Sequence, residues 1–183
     1  MVAIILIGGS GTGKSAIVSE LEERGFLSAD IDVTTARVLD RTVSQLYLDT
    51  PTDQRRRTQT AVITELLDDI RNFPKQNYAI ALPSDGLGTS LNDEYARVVR
   101  QSLQKLRTER GVVVIWLQAE LTTLVNRNGL VGPRMTNLVL PRKELRLHLE
   151  QRAPVYAEFA DHIVDTTDTE AAQAANQILG LVD

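Results

Sequence analysis

The stretch Val2-Ala3-Ile4-Ile5-Leu6-Ile7-Gly8-Gly9-Ser10-Gly11-Thr12-Gly13-Lys14-Ser15 decides the fold. Its first part is an apolar run with β-branched side chains at Val2, Ile4, Ile5 and Ile7, which predicts a strand buried on both faces. Residues 8–15 then read G-x-x-x-x-G-K-S, and Ile17, Val18 and Leu21 give residues 16–24 the apolar stripe of a helix. Strand, glycine loop and helix in that order form the setting in which this motif cradles a polyphosphate. The loop of Gly8, Ser10, Gly11, Thr12 and Gly13 would turn its backbone N–H groups inward, and the helix N-terminus would add its positive dipole end. Lys14 would reach the β- and γ-phosphates of a nucleotide such as ATP, and Ser15 would ligate Mg²⁺. A glycine turn without a ligand is the alternative, and the flanking elements weigh against it.

Working outward, the chain of 183 residues has no composition break, so a single domain over residues 1–183 is expected. It carries 20 Lys+Arg against 24 Asp+Glu. That balance supplies no general field for nucleic acid, although basic residues could still converge on a small anion. Cysteine is absent, which excludes disulfides, thiolate metal sites and cysteine nucleophiles. The first apolar stretch has no basic leader, and no apolar run is long enough to span a membrane, so no membrane partner and a cytoplasmic location are expected.

After the first helix, residues 26–29 read as a short strand that ends at Asp30-Ile31-Asp32. Carboxylates just past a strand end lie where ligands bind in an open α/β sheet, one as a water-mediated Mg²⁺ contact and one as a base or hydroxyl acceptor. A solvated turn with a helix N-cap is the other reading. Residues 33–48 read as two helices broken near residues 40–42, and Thr50-Pro51 as the cap and first residue of the next. That helix carries Arg55, Arg56 and Arg57, which cannot share one face. Such a run is usually solvated, but one inward member could bind a carboxylate or phosphate. Residues 78–82 form another strand, followed by the turn-rich segment 83–88 that contains Asp85. A capping-box variant at residues 90–93 opens a helix marked by Tyr95, Val98, Val99, Leu103 and Leu106.

Residues 112–117 are a second buried strand, with Trp116 read as core rather than as a base-stacking platform. A short helix ending near Arg127 leads into residues 126–140, rich in Asn, Gly and Pro and bearing Arg134. This segment fits a lid over a nucleotide as well as it fits an ordinary surface loop. Residues 141–151 read as helical, with a local alternation of Leu145, Leu147 and Leu149 that favours a strand, and Pro154 interrupts or restarts the helix. His148 and His162 lack metal-ligand spacing and read as surface or strand-end residues. A final strand at residues 162–164 and a terminal helix from about residue 170 complete five strands interleaved with helices: an α/β, three-layer parallel sheet.

With these positions in hand, the chain resembles the shikimate kinases over nearly its whole length. The signs are IILIGGSGTGKSAI, SADIDV, RGVVVIWL, LVNR and EQRAPVYAEFADHIVDT, the last being more discriminating than the phosphate loop. The resemblance implies a P-loop, nucleoside-monophosphate-kinase-like fold with a five-stranded parallel sheet, a substrate-binding segment at about residues 33–72 and an arginine-bearing lid at about 126–140. It implies an ATP- and Mg²⁺-dependent kinase for a hydroxyl of a small acidic metabolite, monomeric or weakly dimeric. By motif, Asp30 corresponds to the carboxylate contacting Mg²⁺ through water and Asp32 to the one orienting the acceptor hydroxyl. Arg56 and Arg152 correspond to the arginines on the substrate carboxylate, and Arg127 to the one stacking on adenine. Lys14 and Arg134 would neutralise the transferred phosphoryl.

The departures lie in the acceptor half. Pro83-Ser84-Asp85 stands where the family has three glycines, which puts a carboxylate beside the substrate. Gln59 replaces a Glu expected to pair with Arg56, and Gly132-Pro133 meets the family's Arg-Pro in the lid. A kinase for another acceptor, such as a sugar acid or an antibiotic, and a silent nucleotide-binding regulator therefore remain alternatives. The phosphate-loop stretch is also similar to gluconate kinases, which the C-terminal block does not follow. A GTP switch is disfavoured because no Asn-Lys-x-Asp motif is present.

Overall fold

The computed structural model describes residues 1–109, 111–129 and 140–182. Five strands, β1 (Ala3–Gly8), β2 (Leu27–Asp30), β3 (Tyr78–Ala81), β4 (Val112–Gln118) and β5 (His162–Asp165), form one sheet in the order β2-β3-β1-β4-β5. Every adjacent pair is parallel, with Ile5 of β1 in register with Ile80 and Val114. The central place of β1 explains its unbroken apolar run, because all of its residues are buried. Alternation splits them between two layers. Ile5 and Ile7 pack with α4 (Thr52–Asn72), α5 (Arg97–Glu109) and α7 (Leu140–Phe159), whereas Ile4 and Leu6 pack with α1 (Lys14–Glu23) and α8 (Ala171–Val182). Each fully buried isoleucine or leucine contributes about 1.5–3 kcal/mol of apolar burial.

The expected break in residues 33–48 separates α2 (Ile31–Val38) from α3 (Val43–Leu48), with Asp40 at φ 52° between them and Thr42 and Gln45 forming a reciprocal capping box on α3. Three local expectations are corrected. Pro51, not Thr50, caps α4, while the Thr50 hydroxyl donates back to the Gln45 carbonyl. Asp93 caps a 3₁₀ turn (Glu94–Ala96) ahead of α5, so Tyr95 lies before that helix rather than in it, and both Tyr95 and Val98 are exposed. Residues 141–151 are helical as read, and the correction falls on Pro154 and the alternating leucines: α7 runs on through Pro154, and Leu145, Leu147 and Leu149 lie within it. Trp116 sits half-buried on β4 with its ring 5.6 Å from that of Tyr156 on α7, the packing role read for it. The short helix read before residue 126 is α6 (Leu121–Arg127). Residues 130–139, and with them Arg134 and most of the expected lid, lie outside the described residues.

Candidate active site

β1 delivers the chain to the loop at the C-terminal edge of the sheet, where Gly8 and Gly11 hold φ of 142° and 85°. A Cβ on Gly8 would collide with the Leu117 carbonyl oxygen, so close approach as well as dihedral angle demands glycine there, whereas at Gly11 the neighbour is the Asn128 side-chain amide and the dihedral angle is what favours glycine. Thr12 is buried, donates its hydroxyl to the Gly9 carbonyl (2.8 Å) and accepts Thr166 Oγ1 at its own carbonyl (2.9 Å). Gly8 and Thr12 therefore shape the loop, while Ser10, Gly11, Gly13, Lys14 and Ser15 line the cleft in front of it. Lys14 Nζ donates to the carbonyls of Gly8 (2.8 Å) and Gly9 (2.9 Å). Burial brings its pKa down to about 8 against the pull of Asp32 and Asp30, with nearby Arg152 pushing the same way as burial.

The N-cap reading of the Asp30-Ile31-Asp32 segment is realised, and both of its carboxylates line the cleft. Asp30 Oδ1 caps α2 by accepting from the N–H groups of Asp32 (2.9 Å) and Val33 (3.2 Å), while Oδ2 accepts the Ser15 hydroxyl. One carboxylate and one hydroxyl beside a phosphate loop are the oxygen donors from which Mg²⁺ is held together with substrate phosphates. Among the described residues no cluster of three or more His, Cys, Asp or Glu could hold a metal by itself. Asp32 Oδ1 accepts from Tyr47 of α3 and from Gln59 Nε2 of α4, each at 2.8 Å, so its other oxygen is left for the cleft it lines. Burial raises the Asp32 pKa; the Tyr47 hydrogen bond opposes this most strongly.

α4 splits the three arginines by direction, since successive helical residues turn about 100°. Arg57 is exposed and pairs with Asp53. Arg56 points away from the cleft: its Nη2 donates to Asp93 Oδ2 at 2.5 Å and its guanidinium lies 4.6 Å from the Tyr95 ring. Burial alone would raise Asp93, but the Thr89 N–H and Arg56 outweigh it and hold the carboxyl below its ordinary range. Arg55 is the member that lines the cleft, 8% exposed, stacked 4.6 Å from the Tyr47 ring and bonded to Gln59 Oε1 at 3.0 Å. Its Nη1 and Nη2 meet Asp85 Oδ1 and Oδ2 at 3.4 and 3.2 Å. From α7, Arg152 donates to Ser84 Oγ (3.1 Å) and the Tyr156 hydroxyl to the Ser84 carbonyl (2.5 Å), so two side chains of one helix clamp the loop after β3.

Lys14, Ser15, Asp30, Asp32, Arg55, Asp85, Arg127 and Arg152 thus share one cleft of 960 Å³, wide enough for a nucleotide and a small acceptor. A family model described as shikimate kinase matches residues 10–183. The chain belongs to the shikimate kinase family. It is 30% identical over 181 residues to a shikimate kinase of Alteromonas mediterranea, covering 98% of this chain and 95% of that one. Identity to a shikimate kinase of Frankia casuarinae is 28% over 170 residues, which covers 91% of this chain but spans only 66% of that relative's length. A shikimate kinase from Acinetobacter baumannii in complex with shikimate has the same fold, with a TM-score of 0.73, 21% identity, and coverage of 98% of this chain and 92% of that one. The protein is a P-loop small-molecule kinase of this family.

Against the family pattern, the cleft cation of the arginine run is Arg55 where the resemblance pointed to Arg56. Gln59, expected only as a lost partner of Arg56, instead ties Arg55 to Asp32. Arg127 reaches the cleft from the end of α6, its guanidinium donating to carbonyls of Gly11, Thr166 and Thr167. His148, read as a surface or strand-end residue, lines the cleft on α7 beside Leu145 and Leu149. Tyr47 was not singled out; a tyrosine following a helix signal carries no mark of its hydrogen bond to a carboxylate distant in sequence.

Proposed function

We propose that this kinase transfers the γ-phosphoryl of ATP to a hydroxyl of a small acidic metabolite, with shikimate the first candidate. The observation that carries the reading is the meeting of Lys14, Asp32 and Arg152 in one cleft: a phosphate cation, a carboxylate with one oxygen free and an arginine without a carboxylate partner among the described residues. Asp32 accepts and orients the attacking hydroxyl, taking its proton as the bond to phosphorus forms. Lys14 neutralises charge on the transferred group, and Arg152 holds the acceptor's anion. Ser15 and, through water, Asp30 would hold Mg²⁺, which supplies charge neutralisation between the β- and γ-phosphates. Residues 33–72 serve as the acceptor-binding segment and residues 126–140, with Arg134, as the lid. Asp85 favours a second reading, a kinase of this family for a different small acceptor such as a sugar acid or an antibiotic.

The test is a coupled assay of ADP release with MgATP, comparing no acceptor, shikimate and a panel of hydroxylated acids, with Lys14→Ala as control. Acceptor-stimulated release lost in the variant supports the reading. Silence across the panel would sink it.

A further inference from the structure

The strongest unexplained feature of the cleft is a buried carboxylate seated on Arg55, the member of the arginine run that lines it. Asp85 is 9% exposed, and both its oxygens face the two terminal nitrogens of Arg55, with Arg56 Nε 3.8 Å from Oδ2. Arg56 is in turn paired with Asp93. Two arginines and two aspartates thus close into a cluster of zero net charge, of which Arg55 and Asp85 line the cleft. An arginine fork binds a carboxylate through two parallel N–H···O bonds, and here that fork is already filled from within the chain.

Resting on the kinase reading above, we propose that Asp85 is a specificity-determining residue: a resident carboxylate that occupies the Arg55 fork and leaves to the acceptor's anion Arg152, which has no carboxylate partner among the described residues. The acceptor class that follows is a hydroxylated molecule bearing one anionic group, directed to Arg152, and hydrogen-bond donors rather than a second acid toward Asp85. Ser84 and Asp85 are consecutive. The loop therefore sets Arg152 through the Ser84 hydroxyl and fills Arg55 through the next side chain, giving the two arginines different tasks.

Calorimetric binding of shikimate and of its uncharged methyl ester to the native chain, D85N, R55Q and the R55Q/D85N double variant tests this, with circular dichroism to verify folding. Removing the resident charge from the fork should raise the preference for acid over ester at least about tenfold in D85N, the worth of one charge-assisted contact. The double variant should lose that gain. R55Q, which strips Asp85 of its two-point partner and leaves it only the more distant Arg56, should bind acid less well relative to ester than the native chain does, and it decides the matter if D85N does not fold. An acid preference in D85N no greater than native, including no acid binding at all, overturns the proposal, as does an unchanged ratio in R55Q. The kinase reading fails separately, if the native chain releases no ADP in response to any acceptor.

Discussion

Replacing Tyr47 by Phe removes one of the two hydrogen bonds that stabilise the charged form of Asp32 and leaves the ring over Arg55 in place. A hydrogen bond to a charged group contributes about 1.5–3 kcal/mol. The Tyr47 residue is 44% exposed, so water can replace part of the bond, and roughly half that value, about 0.7–1.5 kcal/mol, is the expected loss. Losing the bond raises the Asp32 pKa further, because the bond favours the charged form. The starting point is already above the ordinary carboxylate range because burial outweighs the help of Tyr47, Lys14 and Gln59, and the Asp30 charge adds to the rise. With Asp32 as the proposed proton acceptor its ionised form is the active one, so activity should fall as pH drops through its pKa, and in Y47F the fall should begin at higher pH. The assay is the pH profile of kcat/KM for the acceptor at saturating MgATP, native against Y47F. An acid limb that stays in place or moves to lower pH would refute the role given to Tyr47 and to Asp32 as the group that titrates.

Three other outcomes follow from the same geometry. Lys14, with a pKa of about 8 in the free protein, is partly neutral above that pH, and polyphosphate must restore its charge; ATP binding at pH 8.5 should take up a fraction of a proton, seen as a buffer-dependent binding heat and absent in Lys14→Met. Asp30→Asn keeps a good N-cap on α2 but loses the charge beside Ser15, so it should melt near the native temperature while needing at least about tenfold more Mg²⁺, whereas Asp30→Ala should also lose about 1 kcal/mol of stability in denaturant titration. Ile5→Ala, at the fully buried centre of β1, should cost about 2–5 kcal/mol of unfolding free energy.

The nucleotide half of the cleft was legible in the sequence because its determinants are local. Strand, glycines, Lys14, Ser15 and the first helix are contiguous, and Asp30 and Asp32 lie at the end of the next strand. The acceptor half depends on direction and distance that no local pattern records. Which of Arg55, Arg56 and Arg57 faces inward is a matter of helical phase, and the phase is set by α4 packing on the sheet through Val62, Ile63 and Leu67. Asp85 reads as an intruding negative charge until Arg55, thirty residues earlier, is seen to fill it. His148 shows the converse: the alternation of Leu145, Leu147 and Leu149 looks like a strand, and only the continuous α7 brings Leu145, His148 and Leu149 to one face at helical spacing.

The most direct measurement is the product itself. The native chain should be incubated with MgATP and shikimate, and the mixture examined by ³¹P resonance and mass spectrometry for a phosphate ester formed in step with ADP. A phosphorylated acceptor equimolar with ADP, absent with Asp32→Asn, is the expected result. ADP accompanied only by inorganic phosphate, across shikimate and the hydroxylated-acid panel alike, would contradict phosphoryl transfer to a small acidic acceptor.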